Sequence, residues 1–277
     1  MKKAVTVIFS RNRALQLDLC LRTLLNHCKD ILEVGNIVVL YRNDPEHEDS
    51  YATLMSEFPQ IRFKKEQNFK KDMLSLFFNE GNILSNGFVT FVVDDQVFTM
   101  DFSIKSVVSI LAENKDCLGF SLRLGKNCHR CYPYDCDQAI PKTKNIDKNI
   151  LKYNWQDAEY DFNYCLELSA STYRIKDIFE ILETCNYNSP NSLESAMSSC
   201  YYADKPNMLM FEKSISFGLP INKVQLTHNN RSMNIGADIL VKKYMAGYRI
   251  NPNKYDGYIS SGCHDEGGIN TCALYEI

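Results

Sequence analysis

The chain has 277 residues, 45% of them hydrophobic, with 31 basic against 34 acidic side chains and a formal charge of −3. That size and apolar content support a sizeable core, in one large α/β domain or in a domain with an appendage. The slight acidic excess, with Lys and Arg scattered, argues against a general nucleic-acid binder, and no apolar stretch approaches the length of a membrane-spanning helix.

Met1-Lys2-Lys3 before an apolar run resembles the head of a signal peptide. The run is cut short by Ser10-Arg11-Asn12-Arg13, with no small-residue cleavage site. Residues 4–9 are therefore read as a first strand. Residues 15–28 carry Leu17, Leu21, Leu24 and Leu25 at helical spacing. A second strand follows at 36–41, then a helix at 49–57 that stops before Pro59, a short strand at 61–64, and a helix at 70–84 with Met73, Leu74, Phe77 and Phe78 on its apolar side. The run Gly87-Phe-Val-Thr-Phe-Val-Val93 is rich in Val and Phe and predicts a buried strand. Strands separated by helices imply crossovers and a mainly parallel sheet flanked by helices, the α/β class.

Beyond Asp95 the texture changes. A helix is expected at 104–114 and a strand at 117–124. Residues 125–149 are polar and turn-rich and read as a long loop, and 159–173 as paired strands. Helices are expected at 176–185, 192–203 and 237–246, with a short strand at 220–227. There is no internal repeat and no linker. The expectation is one domain over 1–277, with a nucleotide-binding half at 1–100 and an acceptor and catalytic half at 101–277.

Eleven cysteines are spread along the chain. The tightest group is Cys128-His129-Arg130-Cys131 with Cys136, which has ligand types suited to zinc but lacks a second Cys-x-x-Cys. Free buried thiols are the expectation.

The most informative residues are Asp94-Asp95-Gln96, at the carboxyl end of the 87–93 strand. Open α/β sheets bind ligands at that edge. Adjacent carboxylates repel unless a cation or basic group lies between them. Mg²⁺ and Mn²⁺ take carboxylate oxygens and share a diphosphate, so the pair points to an enzyme handling a nucleotide diphosphate. An acidic turn that only starts a helix is the plain alternative.

Three segments resemble the GT-A glycosyltransferases, enzymes that move a sugar from a nucleotide-sugar donor. They are Val5-Thr-Val-Ile-Phe-Ser-Arg-Asn-Arg13 before a Leu-rich helix, Val93-Asp-Asp-Gln-Val-Phe98 in the manner of an Asp-x-Asp motif, and Ser189-Pro-Asn-Ser-Leu-Glu194 in the manner of the segment bearing the acidic base. The resemblance covers the first half well and the second loosely, and its nearest picture is a bacterial-type transferase building a surface polysaccharide or glycan. It implies a GT-A-like fold, hexosyl transfer from a UDP-sugar to a saccharide or glycoconjugate, a Mn²⁺ or Mg²⁺ cofactor, and a cytoplasmic chain or one peripheral at the inner membrane face. Gln96 stands where the motif's last acid would be, so the metal would lean on Asp95.

Site by site, the resemblance assigns Ser10, Arg11 and Arg13 to the nucleotide, and arginine suits phosphate through its paired donors. Tyr41 and Asp44 would meet the base and ribose, although Asn43-Asp44-Pro45 also reads as a plain turn. Lys70 and Asp72 form a third base contact, or surface charge. Asp94 lies near the ribose or the metal, and Asp95 ligates the metal. His228 completes the sphere, with Asn222, Gln225 or His264-Asp265-Glu266 as alternatives. Glu194 is the acceptor-side base and Asp161 its competitor. Trp155 and Tyr164 are candidates for a sugar platform, although the only Trp of a chain more often fills a core. Two rivals remain: a nucleotidyltransferase, which usually has a glycine-rich loop that Ser10–Arg13 lacks, and a non-catalytic carbohydrate-binding protein on a decayed transferase fold.

Overall fold

The computed structural model describes residues 4–79, 86–200, 204–224 and 231–267. The first half alternates as the apolar runs require. β1 (Ala4–Arg11) leads to α1 (Ala14–His27), a short α2 (Ile31–Val34) and β2 (Gly35–Arg42). A 3₁₀ turn (Pro45–His47), α3 (Glu48–Glu57), β3 (Arg62–Lys65), α4 (Phe69–Asn79) and β4 (Phe88–Val93) follow. The rest comprises β5 (Gln96–Phe98), α5 (Ile104–Glu113), β6 (Cys117–Ser121), β7 (Arg130–Cys131), β8 (Cys136–Asp137), β9 (Thr143–Asp147), β10 (Ile150–Asn154), α6 (Tyr160–Asn163), β11 (Ser171–Arg174), α7 (Ile175–Thr184), α8 (Pro190–Ser198), β12 (Asn207–Phe211), β13 (Ser216–Gly218), α9 (Ala237–Met245) and a second 3₁₀ turn (Pro252–Tyr255).

Nine strands form one sheet in the order β3-β2-β1-β4-β11-β6-β12-β10-β9. Only β11 and β10 run against the others, so the sheet is mainly parallel in direction. Both faces are covered. On β1, Ala4 and Ile8 join a core with residues of α1, α3, α5 and α9, whereas Val5, Val7 and Phe9 join a second core with α4, α7 and α8. Alternate side chains of a strand point to opposite faces, so a strand buried on both sides reads as an unbroken apolar run.

The second half departs from expectation where polarity hid the strands. The expected loop at 125–149 contains the β7–β8 hairpin and β9, and β9 pairs with β10 at the sheet edge. An edge strand needs few apolar residues. Residues 159–173 are not paired strands but a one-turn helix and β11, which lies antiparallel between β4 and β6. Expected as a strand, 220–224 is irregular, and the local strand is β13, paired with β5. The helix expected at 192–203 is α8, capped by Ser189 and begun by Pro190. The ends of the expected 70–84 and 192–203 helices and of the 220–227 strand lie outside the described residues.

Candidate active site

β1 is the pivot of the sheet: the chain leaves it toward β2 and β3 on one side, and β4 lies on the other. In sheets with such a change of strand order the usual ligand crevice lies outside the carboxyl ends of the strands, here where the loops that follow β1 and β4 meet. The β1–β4 register continues one residue past the strand, with the Asp94 N–H donating to the Phe9 carbonyl at 3.1 Å. That bond sets Asp94 and Asp95 on the lip of the crevice.

Asn12 takes a left-handed backbone (φ 55°), which Asn tolerates better than most residues, and turns the chain into α1. Arg13 is thereby sent across the crevice. Its Nη1 donates to Asp94 Oδ1 at 3.0 Å and to Asp95 Oδ2 at 2.9 Å. Its Nε donates to Asn222 Oδ1 at 2.9 Å and its Nη2 to the Asn222 carbonyl, while Gln16 Nε2 holds the same Oδ1 at 2.8 Å. Arg13 is the basic group that the adjacent acids require. Burial works against its charge, but Asp94 and Asp95 outweigh it and raise its pKa. Asp94 is 3% exposed, and burial pushes its carboxyl up to about 6, with Arg13 opposing and Asp95 adding to the rise. The Arg11 N–H also donates to Asp94 Oδ2 at 3.2 Å.

The residues expected to meet the nucleoside separate into two groups. Asn12 and Asp44 bond reciprocally, Nδ2 to Oδ2 at 2.6 Å and backbone N–H to Oδ1 at 2.9 Å, with the half-exposed Arg11 4.0 Å from Asp44. Ser10 Oγ shares a 2.6 Å bond with the Tyr51 hydroxyl. Tyr41 is a correction: its ring is 5% exposed and stacked on Tyr51 at 4.7 Å, so it offers no open face to a base. Lys70 and Asp72 are also committed elsewhere. Lys70 donates to the Cys185 carbonyl at 2.8 Å, and Asp72 accepts the Gln67 and Asn68 N–H groups at 2.8 Å and pairs with Lys64 at 3.0 Å. Gln96 is buried and turned inward, donating to Ser216 Oγ at 2.9 Å.

Of the two acids expected to face the acceptor, Glu194 is half-buried and accepts the Leu168 N–H at 3.0 Å. Asp161 is 8% exposed and bound to Gln138 through both its N–H (3.1 Å) and its Oδ2 (3.2 Å). Beside them lies a pair that the sequence reading overlooked: Arg123 and Glu167, both buried, with Nε and Oε2 3.4 Å apart. Ser171 Oγ and the Ser169 N–H donate to Glu167. Burial pushes the Glu167 carboxyl up to about 7; Arg123 and Ser171 oppose the shift and Glu194 adds to it. A signal existed in Leu122-Arg123-Leu124 and Leu166-Glu167-Leu168, where a lone charge sits in an apolar run and must find a partner if the run is buried.

His228 and Gln225 lie outside the described residues. His264 lies within the field of both Asp95 and Asp161; burial and Arg123 lower its pKa, and those two acids oppose the shift. Its Nδ1 is shut from solvent with no partner among the described residues. The ring rests on Gly218, where a Cβ would come within 2.7 Å of it. Among the described residues no three His, Cys, Asp or Glu side chains are grouped to hold a metal. A divalent ion still suits the donor set, because Asp95 keeps Oδ1 free of hydrogen bonds among those residues. Mg²⁺ is commonly held by one or two carboxylates plus substrate phosphates. Of the two readings of Trp155, the core one fits: it is 8% exposed and its indole N–H is bound to the Lys205 carbonyl at 2.8 Å. Tyr164 is half-exposed, beside Glu194. Cys131 and Cys136 face each other across the β7–β8 hairpin, and Cys128 Sγ lies 3.4 Å from the Arg123 carbonyl.

No protein-family model matches the chain. It is similar to the bifunctional glycosyltransferase pgtA of Dictyostelium discoideum, 28% identical over 280 residues and 90% of this chain. The chain spans about a third of that relative's length, 36%. Among solved structures it is similar to S. aureus TarS 1–349 in complex with UDP-GlcNAc (13% identity, TM-score 0.47, 82% of this chain and 60% of that one). It is also similar to GalNAc-T7 with UDP, GalNAc and Mn²⁺ (8% identity, TM-score 0.44, 76% and 43%). Structural likenesses this distant bear on neither activity nor substrate; the similarity in sequence is to a named glycosyltransferase over nine-tenths of the chain.

Proposed function

We propose that the chain is a GT-A-like glycosyltransferase that draws on a nucleotide-sugar donor, a UDP-sugar in the first instance, and delivers the sugar to a saccharide or glycoconjugate. The observation that carries this reading is the meeting of Arg13, Asp94 and Asp95 at the β1–β4 crevice. The similarity to pgtA supports the same reaction class.

In this reading Asn12 and Asp44 meet the nucleoside, and Arg11 and Arg13 orient the diphosphate. Asp95 and His264 are the described residues that would hold Mn²⁺ or Mg²⁺, which when bound would stabilise charge on the leaving diphosphate. Glu194, or Asp161 in its place, takes the proton of the acceptor hydroxyl. Arg123 and Glu167 fix the acceptor-side acids in position. Residues 1–100 then form the donor half and 101–277 the acceptor half of one domain.

The test is a donor-hydrolysis and transfer screen across UDP-, GDP- and CDP-sugars with Mn²⁺, alongside calorimetric titration of UDP with and without the metal. Metal-dependent UDP binding and turnover of one donor are expected. No turnover and no nucleotide binding would defeat the proposal. One observation favours a second reading. Arg13 already neutralises the acid pair, as it would in a carbohydrate-binding protein that has lost catalysis. Sugar binding without any nucleotide binding would select it.

A further inference from the structure

An open cleft of about 300 Å³ lies between the β7–β8 hairpin and the segment 261–267. Its charged lining is Arg130, Arg231, Asp135, Asp265 and Glu266, with Tyr132 among them. Asp135 Oδ1 pairs with both arginines at 2.8 Å, and Arg130 also reaches Asp137 at 3.0 Å. Arg231 lies over the Tyr132 ring at 4.8 Å, and the Tyr132 hydroxyl donates to Glu266 at 3.0 Å. His264, which feels both Asp95 and Asp161, lines the same cleft. His264 rests on Gly218, and the N–H of the next residue, Leu219, donates to the Asp95 carbonyl at 2.8 Å, which ties the cleft to the Asp95 loop.

Two formal positive charges face three negative ones. An anionic ligand would have to break carboxylate–arginine pairs and add to a negative excess. An uncharged polyhydroxyl ligand meets neither cost, because each hydroxyl can donate to a carboxylate and accept from a guanidinium. Tyr134, next in sequence to the lining residue Asp135, is 72% exposed and packs on Tyr160, itself 42% exposed, at 5.6 Å between ring centres. Tyr160 has a left-handed backbone (φ 48°), a strained conformation for a bulky residue and one that tends to persist at functional sites. The next residue, Asp161, is anchored to Gln138. Two large aromatic faces are thus held in solvent beside a polar cleft.

We infer that this cleft is the acceptor subsite and takes an uncharged sugar, its C–H face on Tyr134 and Tyr160 and its hydroxyls on the Asp135–Arg130–Arg231 cluster. The inference rests on the transferase reading for the word acceptor, but the binding itself does not. It also moves the sugar platform from Trp155 and Tyr164 to Tyr134 and Tyr160.

The experiment is saturation-transfer NMR on the full chain, with and without UDP. The probes are methyl glycosides of glucose, galactose, mannose and N-acetylglucosamine, with methyl glucuronide and glucose 6-phosphate as charged counterparts. At least one neutral glycoside should receive saturation on its ring C–H protons. Tyr134→Ala should weaken its Kd by about fivefold to tenfold, the scale of a lost aromatic contact, and Tyr134→Phe should restore it. Tyr134 is exposed, so the variant's thermal midpoint should match the parent's. The inference is overturned if no neutral glycoside binds, if the charged probes bind in preference, or if Tyr134→Ala binds like the parent and the exposed pair instead docks protein. Glycoside binding with no turnover of any nucleotide sugar would defeat the transferase reading alone.

Discussion

Arg13 Nη1 lies 2.9 Å from Asp95 Oδ2, a contact between residues 82 positions apart. It leaves Asp95 with one oxygen held and one free of hydrogen bonds among the described residues, whereas Asp94 has both oxygens engaged. The two acids are thus inequivalent. Asp94 anchors the loop after β1, and Asp95 is the one available to a ligand.

Asp95→Asn should accordingly lower donor turnover by on the order of 10²-fold or more, the scale of losing an electrostatic stabiliser at the reacting centre. The fold should survive, since asparagine can still accept from Arg13. Donor hydrolysis and circular dichroism on the same sample check this, and full activity that still requires metal would remove Asp95 from the site.

Arg13→Ala should damage the fold as well as the site. It strands Asp94 in a buried position, and breaking a buried ion pair by removing one partner costs about 3–5 kcal/mol. Pairing the change with Asp94→Asn should recover much of that loss. Urea unfolding of the single and double variants reads both values, and equal stability of Arg13→Ala and the parent would show that the bridge contributes nothing.

Glu194→Gln should lower kcat on the order of 10²–10⁴-fold with little change in donor affinity, as expected for a lost general base. Asp161→Asn is the matched comparison. A loss confined to Asp161→Asn would transfer the role to that residue. Full transfer in both variants would favour a retaining mechanism that needs no enzymic base.

Glu167 makes stability depend on pH. Its carboxyl titrates at about 7 in the folded chain, above the ordinary glutamate value near 4.5. The folded state therefore holds the extra proton. The stability this brings is complete below pH 4.5 and is lost as pH rises through 7. The span corresponds to about 3 kcal/mol at most. Asp94, raised to about 6, works in the same direction. Urea midpoints should fall between pH 5 and 8, and Glu167→Gln should flatten the fall. An unchanged slope in that variant would place the proton elsewhere.

His264→Ala should weaken Mn²⁺ binding, read by the electron paramagnetic signal of free Mn²⁺ in the presence of UDP. Gly218→Ala should produce a milder version, because its methyl would displace the His264 ring from 2.7 Å. Unchanged Mn²⁺ affinity in both would return the ligand beside Asp95 to residues such as His228.

The first half of the fold was legible because its physics is local. Val and Phe runs buried on both faces announce β1, β2 and β4, leucines at helical spacing announce α1, and the alternation of the two dictates a mainly parallel sheet. The carboxyl-end position of Asp94-Asp95 followed from the same pattern. Other features needed the folded chain. β9 is polar because it lies at the sheet edge, so its pairing depends on its neighbour β10 and not on its own composition. Tyr41 looked like a stacking residue for a base, and only the packing of α3 against β2 shows Tyr51 already on its ring. Arg123 and Glu167 are 44 positions apart, and a buried charge declares its partner only when the sheet brings both to one place. The identity of the group between the two acids was also undecided by sequence. Electrostatics demanded a positive charge there, and it took the left-handed turn at Asn12 to deliver the guanidinium of Arg13.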